Sequence, residues 1–326
     1  MYILLLLLLV FLSIYLSINN IQPVVLNNSE NNDYVYQNNI KSDLMLFLTQ
    51  NLSRVKKNYS KHPNSTQHNK YFITGQIIDN SHVALQYNFP LVENVVANIN
   101  LKLYPLQTSK LIDQFGVKST FLTNEKDHVA LRFSNEEERR IIYKDLLDGS
   151  VNLNDNNEIN VDYNKLVTLH KDFTQPIAEK IVNELNILNK NSRFNKIQSA
   201  LHFVQYIPYG IPCFDCNDFF YFGISLPSET LALNYSDCDS KSILFASILT
   251  HLIDSKDIIL VQCFVEGENE ASGNHMMVAI NDLNIGYGQK ELFNNKEFLL
   301  IETTSPCVIG EWPWNSYTLQ KIITLA

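Results

Sequence analysis

One segment limits how this chain can fold more than any other: a capped, apolar helix with a cysteine in its first turn. Residues 235–242 read Tyr-Ser-Asp-Cys-Asp-Ser-Lys-Ser, and the apolar, periodic run 243–252 follows them. Ser236 is a favourable N-cap, and Asp239 stands three residues later as its capping-box partner. The pattern therefore predicts a helix that carries Cys238 at its amino-terminal end.

A cysteine in this position has a chemical as well as a structural interpretation. The unpaired N–H groups and the positive dipole end of a helix stabilise a thiolate and lower the pKa of the thiol. Asp237 and Asp239 oppose this effect, whereas Lys241 and a protonated histidine would offset them. A lone cysteine near a helix start is more often structural, so Cys238 alone does not predict an enzyme.

Two further segments supply the groups that a thiol nucleophile needs. His275 begins a predicted strand after a polar loop, and Glu302 directly follows the apolar strand 298–301. A buried carboxylate needs a partner, and imidazolium is a suitable one. In such a triad Cys238 attacks a carbonyl carbon, His275 accepts and returns the proton, and Glu302 orients the imidazole and stabilises its charged form.

The carboxyl-terminal half resembles the transglutaminase-like superfamily, most closely its bacterial members of unassigned substrate. The chain departs from the family at Ser236, where glycine is usual. Its acid, Glu302, is the residue usual in the bacterial relatives, whereas the animal enzymes carry Asp. The similarity lies in blocks that follow the family order, at 203–209, 226–231, 237–249, 275–279, and 302–306 with 309–313.

The resemblance implies an α+β, papain-like fold, in which the helix bearing the cysteine packs on an antiparallel sheet that bears the histidine and the acid. It implies a cysteine-dependent hydrolase that cleaves an amide or isopeptide bond in a peptide or protein substrate through an acyl-enzyme. Two alternatives remain open: protein-glutamine acyl transfer with the same triad, and a non-catalytic binding module. The intact triad argues against the binding module.

Five more residues are candidates for supporting roles around this triad. In the family, the oxyanion is stabilised by the N–H of the nucleophile and by a side-chain donor, for which Gln205 and the hydroxyl of Tyr209 are the candidates. Three acidic residues are candidates for contacting and supporting the catalytic groups: Asp237, Asp239 and Glu229. Glu229 is alternatively a cap of its own turn.

Other site chemistries have little support. Cys213 and Cys216 form half of a zinc motif, but no second Cys or His pair has suitable spacing. Lys241 occupies a ligand position of a calcium-like loop that also lacks its glycine. The sequence has no Gly-x-Ser-x-Gly, no His-Glu-x-x-His and only ten glycines. We therefore predict no metal and no cofactor, and the net charge of -9 argues against a nucleic-acid partner.

The chain contains five cysteines, and an odd number in an exported protein suggests paired cysteines and one free thiol. Cys213 with Cys216 and Cys263 with Cys307 are the pairs that would leave Cys238 free. Five reduced cysteines are the alternative.

The amino terminus predicts export. Residues 2–18 are all apolar or hydroxyl-bearing, and no charge precedes Glu30. This length is close to the about 17–25 residues that cross a bilayer, and no clear cleavage site follows. We expect a membrane anchor with the body outside the cytoplasm; a signal peptide that is cleaved to release a secreted protein is the alternative.

The chain divides into four predicted regions: an anchor or signal (1–20), an Asn-rich linker (21–70), a small β-rich α+β accessory domain (71–165) and the transglutaminase-like domain (166–326). Strands are predicted in the accessory domain at 71–78, 82–88, 95–104 and 128–133.

Three helices are predicted around the boundary between these domains. Ser134 caps the first, with Glu137 as its capping-box partner. The second starts at Thr174, and the third starts at Ser192 and is stopped by Pro208.

Overall fold

The structure is a computed structural model of the chain. All described residues lie between positions 72 and 325. The predicted anchor and linker therefore lie outside the described residues, and within those residues no helix has the length and apolarity to span a bilayer. The described residues are 72–77, 83–92, 95–104, 108, 111–112, 115–118, 122–125, 128–131, 133–141, 150–153, 158–212, 215–216, 219–267, 272–281 and 285–325.

The fold is mixed α+β. The described α-helices of seven or more residues are α1 (Tyr163–Leu169), α2 (Lys171–Ile187), α3 (Arg193–Gln205), α4 (Pro227–Leu233) and α5 (Cys238–Leu249). The described strands are β1 (Phe72–Ile77), β2 (Val83–Pro90), β3 (Val96–Leu103), β4 (Val117–Lys118), β5 (Leu122–Glu125), β6 (His128–Leu131), β7 (Val151–Leu153), β8 (Ile159–Val161), β9 (Asp215–Cys216), β10 (Phe219–Phe220), β11 (Ile258–Glu266), β12 (Ser272–Asn281), β13 (Lys290–Phe293), β14 (Lys296–Ile301) and β15 (Ser316–Thr324).

The main sheet is antiparallel and has the strand order β13-β14-β12-β11-β15. Successive residues alternate between its faces, as the period of a strand requires. Val278 and Ile301 face the helices, whereas Met277 and Leu300 belong to a second apolar cluster. Because β12 and β14 are neighbours, the sheet confirms that the strands that carry the predicted histidine and acid lie side by side.

Helix α5 is buried along nearly its whole length, from Cys238 to Leu249. Residues 243–249 of this helix are apolar apart from Ser247, which favours an interior position, and the buried hydroxyls of the helix need partners there. Ser247 accordingly lies 3.0 Å from the hydroxyl of Thr174 on α2, and Ser242 donates to the carbonyl of Met276 on β12 at 3.0 Å. These bonds fix α5 between the other helices and the sheet.

The strands predicted in the segment 71–165 are confirmed as β1, β2, β3 and β6, with shifts of a few residues at their ends. β2 packs directly on the helices of the segment 166–326. The rings of Tyr87 and Phe89 lie 5.7 and 5.1 Å from the ring of Phe203 on α3, and the hydroxyl of Tyr87 donates to the carbonyl of Leu231. The apolar residues of the two segments join in one hydrophobic core.

Two of the predicted helix starts are wrong by a few residues. The first cap is Asn135, which accepts from the amide of Glu138 at 2.8 Å, while Glu138 accepts from the amide of Ser134 at 2.6 Å. The helix predicted from Thr174 begins at Lys171. The third start is confirmed, since Ser192 caps α3 by accepting from the amide of Asn195.

Candidate active site

Cys238 is the first residue of α5, which confirms its predicted place in the first turn. The cap, however, is Asp237, whose Oδ1 accepts from the amide and the hydroxyl of Ser240 at 3.1 and 2.7 Å. The predicted cap Ser236 has another role, because its backbone pairs with the segment around Tyr209. The amide of Ser236 donates to the carbonyl of Pro208 at 3.1 Å. The prediction placed the cap one residue too early.

His275 lies within β12 and does not begin it, because the strand starts at Ser272. The ladder between β12 and β14 begins at Val278. Before that ladder, the backbone of Met276 bonds to α5: its carbonyl accepts from Ser242, and its amide donates to the sulfur of Cys238. The thiol is therefore held at the strand position next to His275.

Glu302 directly follows β14 and is buried, with 1% of its surface exposed. Its Oε2 lies 2.9 Å from Nε2 of His275 and also accepts from Nε1 of Trp314 at 2.9 Å. Its Oε1 accepts from the amide of Thr304 at 2.5 Å and from the Thr304 hydroxyl. Since an ionised carboxylate can only accept, Nε2 of His275 carries a hydrogen, and in the neutral ring Nδ1 is the proton acceptor.

The environment of Glu302 favours its charged form. Burial raises the pKa of this carboxyl, but the charge of His275 and the hydrogen bonds from His275 and Thr304 outweigh burial and lower it to about 2. The ring of Trp314 lies 5.1 Å from that of His275, at an interplanar angle of 59°, and covers the pair. At neutral pH the imidazole therefore faces a fixed negative charge.

The environment of Cys238 favours the neutral thiol. Burial raises the pKa of Cys238 far above its usual value, the charges of Asp239 and Asp237 raise it further, and the amide of Met276 lowers it. The thiol donates to Oδ1 of Asp239 at 3.4 Å, and Oδ2 of Asp239 accepts from the hydroxyl of Tyr163 at 2.7 Å. The shift is opposite to the one expected from the helix terminus, because burial and two carboxylates outweigh the dipole.

The surroundings of Asp237 also shift the pKa of its carboxyl group. Burial and the charge of Asp239 raise its pKa to about 7, against the lowering effect of its bonds from Ser240. The structure thus brings Cys238, Asp237 and Asp239 together around the start of α5.

No protein-family model, curated protein or solved structure significantly matches this chain. Its function has to be inferred from the arrangement of its own residues.

Of the two candidate oxyanion donors, Gln205 is engaged elsewhere. Its Nε2 donates to the carbonyl of Glu302 at 2.9 Å and to Sγ of Cys307 at 3.4 Å, and its Oε1 accepts from the amide of Cys307 at 3.4 Å. Both amide hydrogens are used, so Gln205 supports the backbone on either side of the turn after the acid.

Tyr209 lies near Cys238 and the acidic residues around it. Burial raises the pKa of its hydroxyl well above the usual value, and the charges of Cys238, Asp237, Asp239 and Glu302 add to this rise. Its side chain retains 37% of its exposure. Tyr209 is therefore a partly exposed residue at the edge of the site.

Glu229 lies at the start of α4, where its Oε2 accepts from the amide of Leu226 at 3.2 Å. Burial raises its pKa to about 7, against the lowering effect of this hydrogen bond. Glu229 therefore caps its own helix, which is the second of the two roles predicted for it from the sequence.

The predicted disulfide between Cys263 and Cys307 is wrong, because both are free thiols. Cys263 lies on β11 opposite His275 and donates to its carbonyl at 3.7 Å, whereas Cys307 lies against Gln205. The side chains of Cys213 and Cys216 fall outside the described residues. Within the described ranges, no group of His, Cys, Asp and Glu side chains could hold a metal ion.

Sequence reasoning missed three residues of the site: Trp314, Thr304 and Tyr163. The proximity of Thr304 to the acid was the one available signal, since a hydroxyl two residues after a carboxylate can bond back to it. Trp314 and Tyr163 reach the site only through the tertiary fold, so no local pattern marks them.

Proposed function

We propose that this protein is a cysteine-dependent amide or isopeptide hydrolase of the transglutaminase-like superfamily, acting through an acyl-enzyme on a peptide or peptide-like substrate. One observation carries the proposal: His275 pairs with Glu302 at 2.9 Å, and the amide of the next residue, Met276, donates to the sulfur of Cys238 at the start of a buried helix. A cysteine helix packed on an antiparallel sheet that bears the histidine and the acid is also the papain-like arrangement that the sequence resemblance implies.

The first chemical step uses His275 as a general base. As Sγ of Cys238 attacks the substrate carbonyl carbon, the thiol proton passes to the unprotonated imidazole nitrogen. The resulting imidazolium is stabilised by Glu302, which is already ionised. A buried, neutral thiol suits this route, because the proton leaves the sulfur only when bond formation begins.

The negative charge that develops on the carbonyl oxygen needs hydrogen-bond donors. The N–H of Cys238 is one donor, because the first N–H groups of a helix have no partner within it. The hydroxyl of Tyr209 is the second candidate, since Gln205 is committed to Glu302 and Cys307. When the intermediate collapses, His275 returns the proton to the leaving amine and a thioester remains on Cys238.

The second step regenerates the enzyme. His275 takes a proton from water, the resulting hydroxide adds to the thioester carbon, and the thiol is released as the carboxylic acid departs. An amine in place of water would give acyl transfer by the same residues. The nature of the acceptor therefore separates hydrolysis from cross-linking.

An activity-based thiol probe applied to the full chain tests the proposal. Cys238 is expected to be labelled in the wild type, to lose the label in Cys238→Ala and to keep it in the control Cys307→Ala, which removes a half-buried thiol outside the triad. Labelling that persists in Cys238→Ala would reject the assignment. A screen of peptides and cell-wall fragments, with and without added amines, then distinguishes cleavage from transfer.

We also propose that the body acts outside the cytoplasm, anchored through residues 2–18. The uncharged, apolar character of this segment supports the proposal. A reporter fused after Ala326 and assayed for extracytoplasmic exposure tests it, and a reporter active only in the cytoplasm would contradict it.

A further inference from the structure

Lys241 is a fully buried cation one turn after Cys238 on α5, with 0% of its surface exposed. Lysine is almost never fully buried unless its charge is compensated. The catalytic roles assigned above leave this residue unexplained.

The ammonium group of Lys241 lies between two segments of the site. Nζ is 3.5 Å from the carbonyl oxygen of Gln205, the last residue of α3, and 3.5 Å from the carbonyl oxygen of Thr304. The carbonyls at the end of a helix lack intrahelical partners and attract cations. Thr304 in turn holds Oε1 of Glu302. Lys241 therefore links the end of α3 to the turn that fixes the catalytic acid.

The charged groups that face Lys241 come from two directions. Asp237 and Cys238 precede it on the same helix, and Glu302 faces it from the end of β14, whereas α3 presents a neutral carbonyl. Burial lowers the pKa of Lys241 to about 7, while Glu302, Asp237 and Cys238 raise it. A thiolate at Cys238 would add a further negative charge to this group, and charges interact strongly in a buried site.

We infer that Lys241 is a positioning residue for the proposed reaction: it holds the turn that carries the acid and offsets the negative charge that arises on the sulfur of Cys238. The inference rests on the proposed function, in which Cys238 is the nucleophile and Glu302 is the acid. The positive charge of Lys241 would thus offset the negative charges of Glu302, Asp237 and the Cys238 thiolate.

The test is the pH profile of Cys238 alkylation by iodoacetamide, a neutral reagent, in the full chain, read from the mass of the Cys238 peptide. Lys241→Gln keeps a donor for the two carbonyls but removes the charge, and Lys241→Met removes both. Both variants are expected to alkylate Cys238 about tenfold more slowly than the wild type below pH 7, where Lys241 carries its charge, and at the wild-type rate well above pH 7, where that charge is lost. The control Ser247→Ala, a buried change at the other end of α5, is expected to leave the profile in place.

The possible outcomes separate the two proposals. A wild-type profile in Lys241→Gln overturns the inference about Lys241 while Cys238 remains a reactive thiol. A wild-type Cys238 that resists alkylation at all pH values overturns the proposed function, and the inference falls with it. If Lys241→Met does not fold, the single variant Asp237→Asn is compared with the double variant Asp237→Asn/Lys241→Met. The double variant buries less uncompensated negative charge than Lys241→Met alone, because Asp237 has lost its carboxylate. Identical alkylation profiles for Asp237→Asn and the double variant overturn the inference.

Discussion

The indole N–H of Trp314 donates to Oε2 of Glu302 at 2.9 Å. The same oxygen faces Nε2 of His275, so the tryptophan restricts the carboxylate to the orientation in which it meets the imidazole. The ring of Trp314 also covers the pair, with its centroid 5.1 Å from that of His275. Trp314 thus orients one carboxylate oxygen of Glu302 and packs against the imidazole, and in this buried site the interaction between carboxylate and imidazole is strong.

Replacing Trp314 by Phe keeps a ring over His275 but removes the indole N–H. Because hydrogen bonds to charged groups contribute about 1.5–3 kcal/mol, we expect the Cys238-dependent rate to fall by at least tenfold, with KM nearly unchanged. Trp312→Phe is the control, since the ring of Trp312 packs on Tyr317 instead, at 5.3 Å. Steady-state kinetics on a peptide substrate provide the measurement, and equal rates in Trp314→Phe and the control would contradict the role.

Glu302 should dominate the acid sensitivity of the fold. Its pKa falls from 4.5 to about 2 on folding, so the unfolded chain binds the proton more readily. The resulting stabilisation is fully present above pH 4.5 and is lost as the pH falls through 2; its size is on the order of 3 kcal/mol. Glu302→Gln is expected to be less stable at pH 7 by about this amount and to lose less between pH 4.5 and 2.

Urea denaturation at neutral and acidic pH measures this difference. Glu297→Gln is the matched control, because its carboxylate is 67% exposed and pairs with Lys290 at the surface, where ion pairs contribute about 0–1 kcal/mol. Parallel pH curves for Glu302→Gln and the wild type would show that the carboxylate is not the source of the acid sensitivity.

The three residues proposed as the triad could be singled out from the sequence because each has a local signal. Cys238 follows a capping residue, His275 lies in an apolar strand, and Glu302 ends another. The alternation of apolar residues along β12 and β14 also gives the face that each strand buries. The register of β12 against β14 is a tertiary property, however, and so is the packing of α5 on β12 that brings the thiol to the amide of Met276.

The supporting contacts depend on residues far apart in the chain. Gln205 and Glu302 are separated by 97 positions, and Tyr163 and Asp239 by 76. A sequence pattern shows that Gln205 lies near the end of a helix, but not that its amide turns toward the carbonyl of Glu302. The direction of the pKa shift at Cys238 could not be predicted for the same reason, because it depends on how deeply the fold buries the thiol.

Asp239 should restrain the nucleophile. It accepts the thiol hydrogen of Cys238, and its charge raises the pKa of that thiol after burial has done so. Asp239→Asn keeps an oxygen for the hydroxyl of Tyr163 but removes the charge. Since a neighbouring charge shifts a pKa by about 1–3 units, alkylation of Cys238 by iodoacetamide at neutral pH is expected to become at least tenfold faster.

Tyr163→Phe is the companion variant for this prediction. It removes the hydrogen bond to Asp239 but leaves the carboxylate charge in place. We expect alkylation of Cys238 to become slightly slower, because the carboxylate then bonds the thiol hydrogen without competition. An Asp239→Asn variant that alkylates more slowly than the wild type would refute the restraining role.

We expect Gln205 to have a structural role and Tyr209 to have a chemical role. Gln205→Leu leaves the carbonyl of Glu302 and the amide of Cys307 without their partner, so the free energy of unfolding is expected to fall by about 2 kcal/mol or more. Tyr209→Phe is expected to slow acylation of Cys238 by about 100-fold, because an oxyanion donor acts mainly in the transition state. Urea denaturation and single-turnover acylation, measured on both variants, decide between the roles. A stable Gln205→Leu that acylates slowly, beside a Tyr209→Phe with the wild-type rate, would reverse the two assignments.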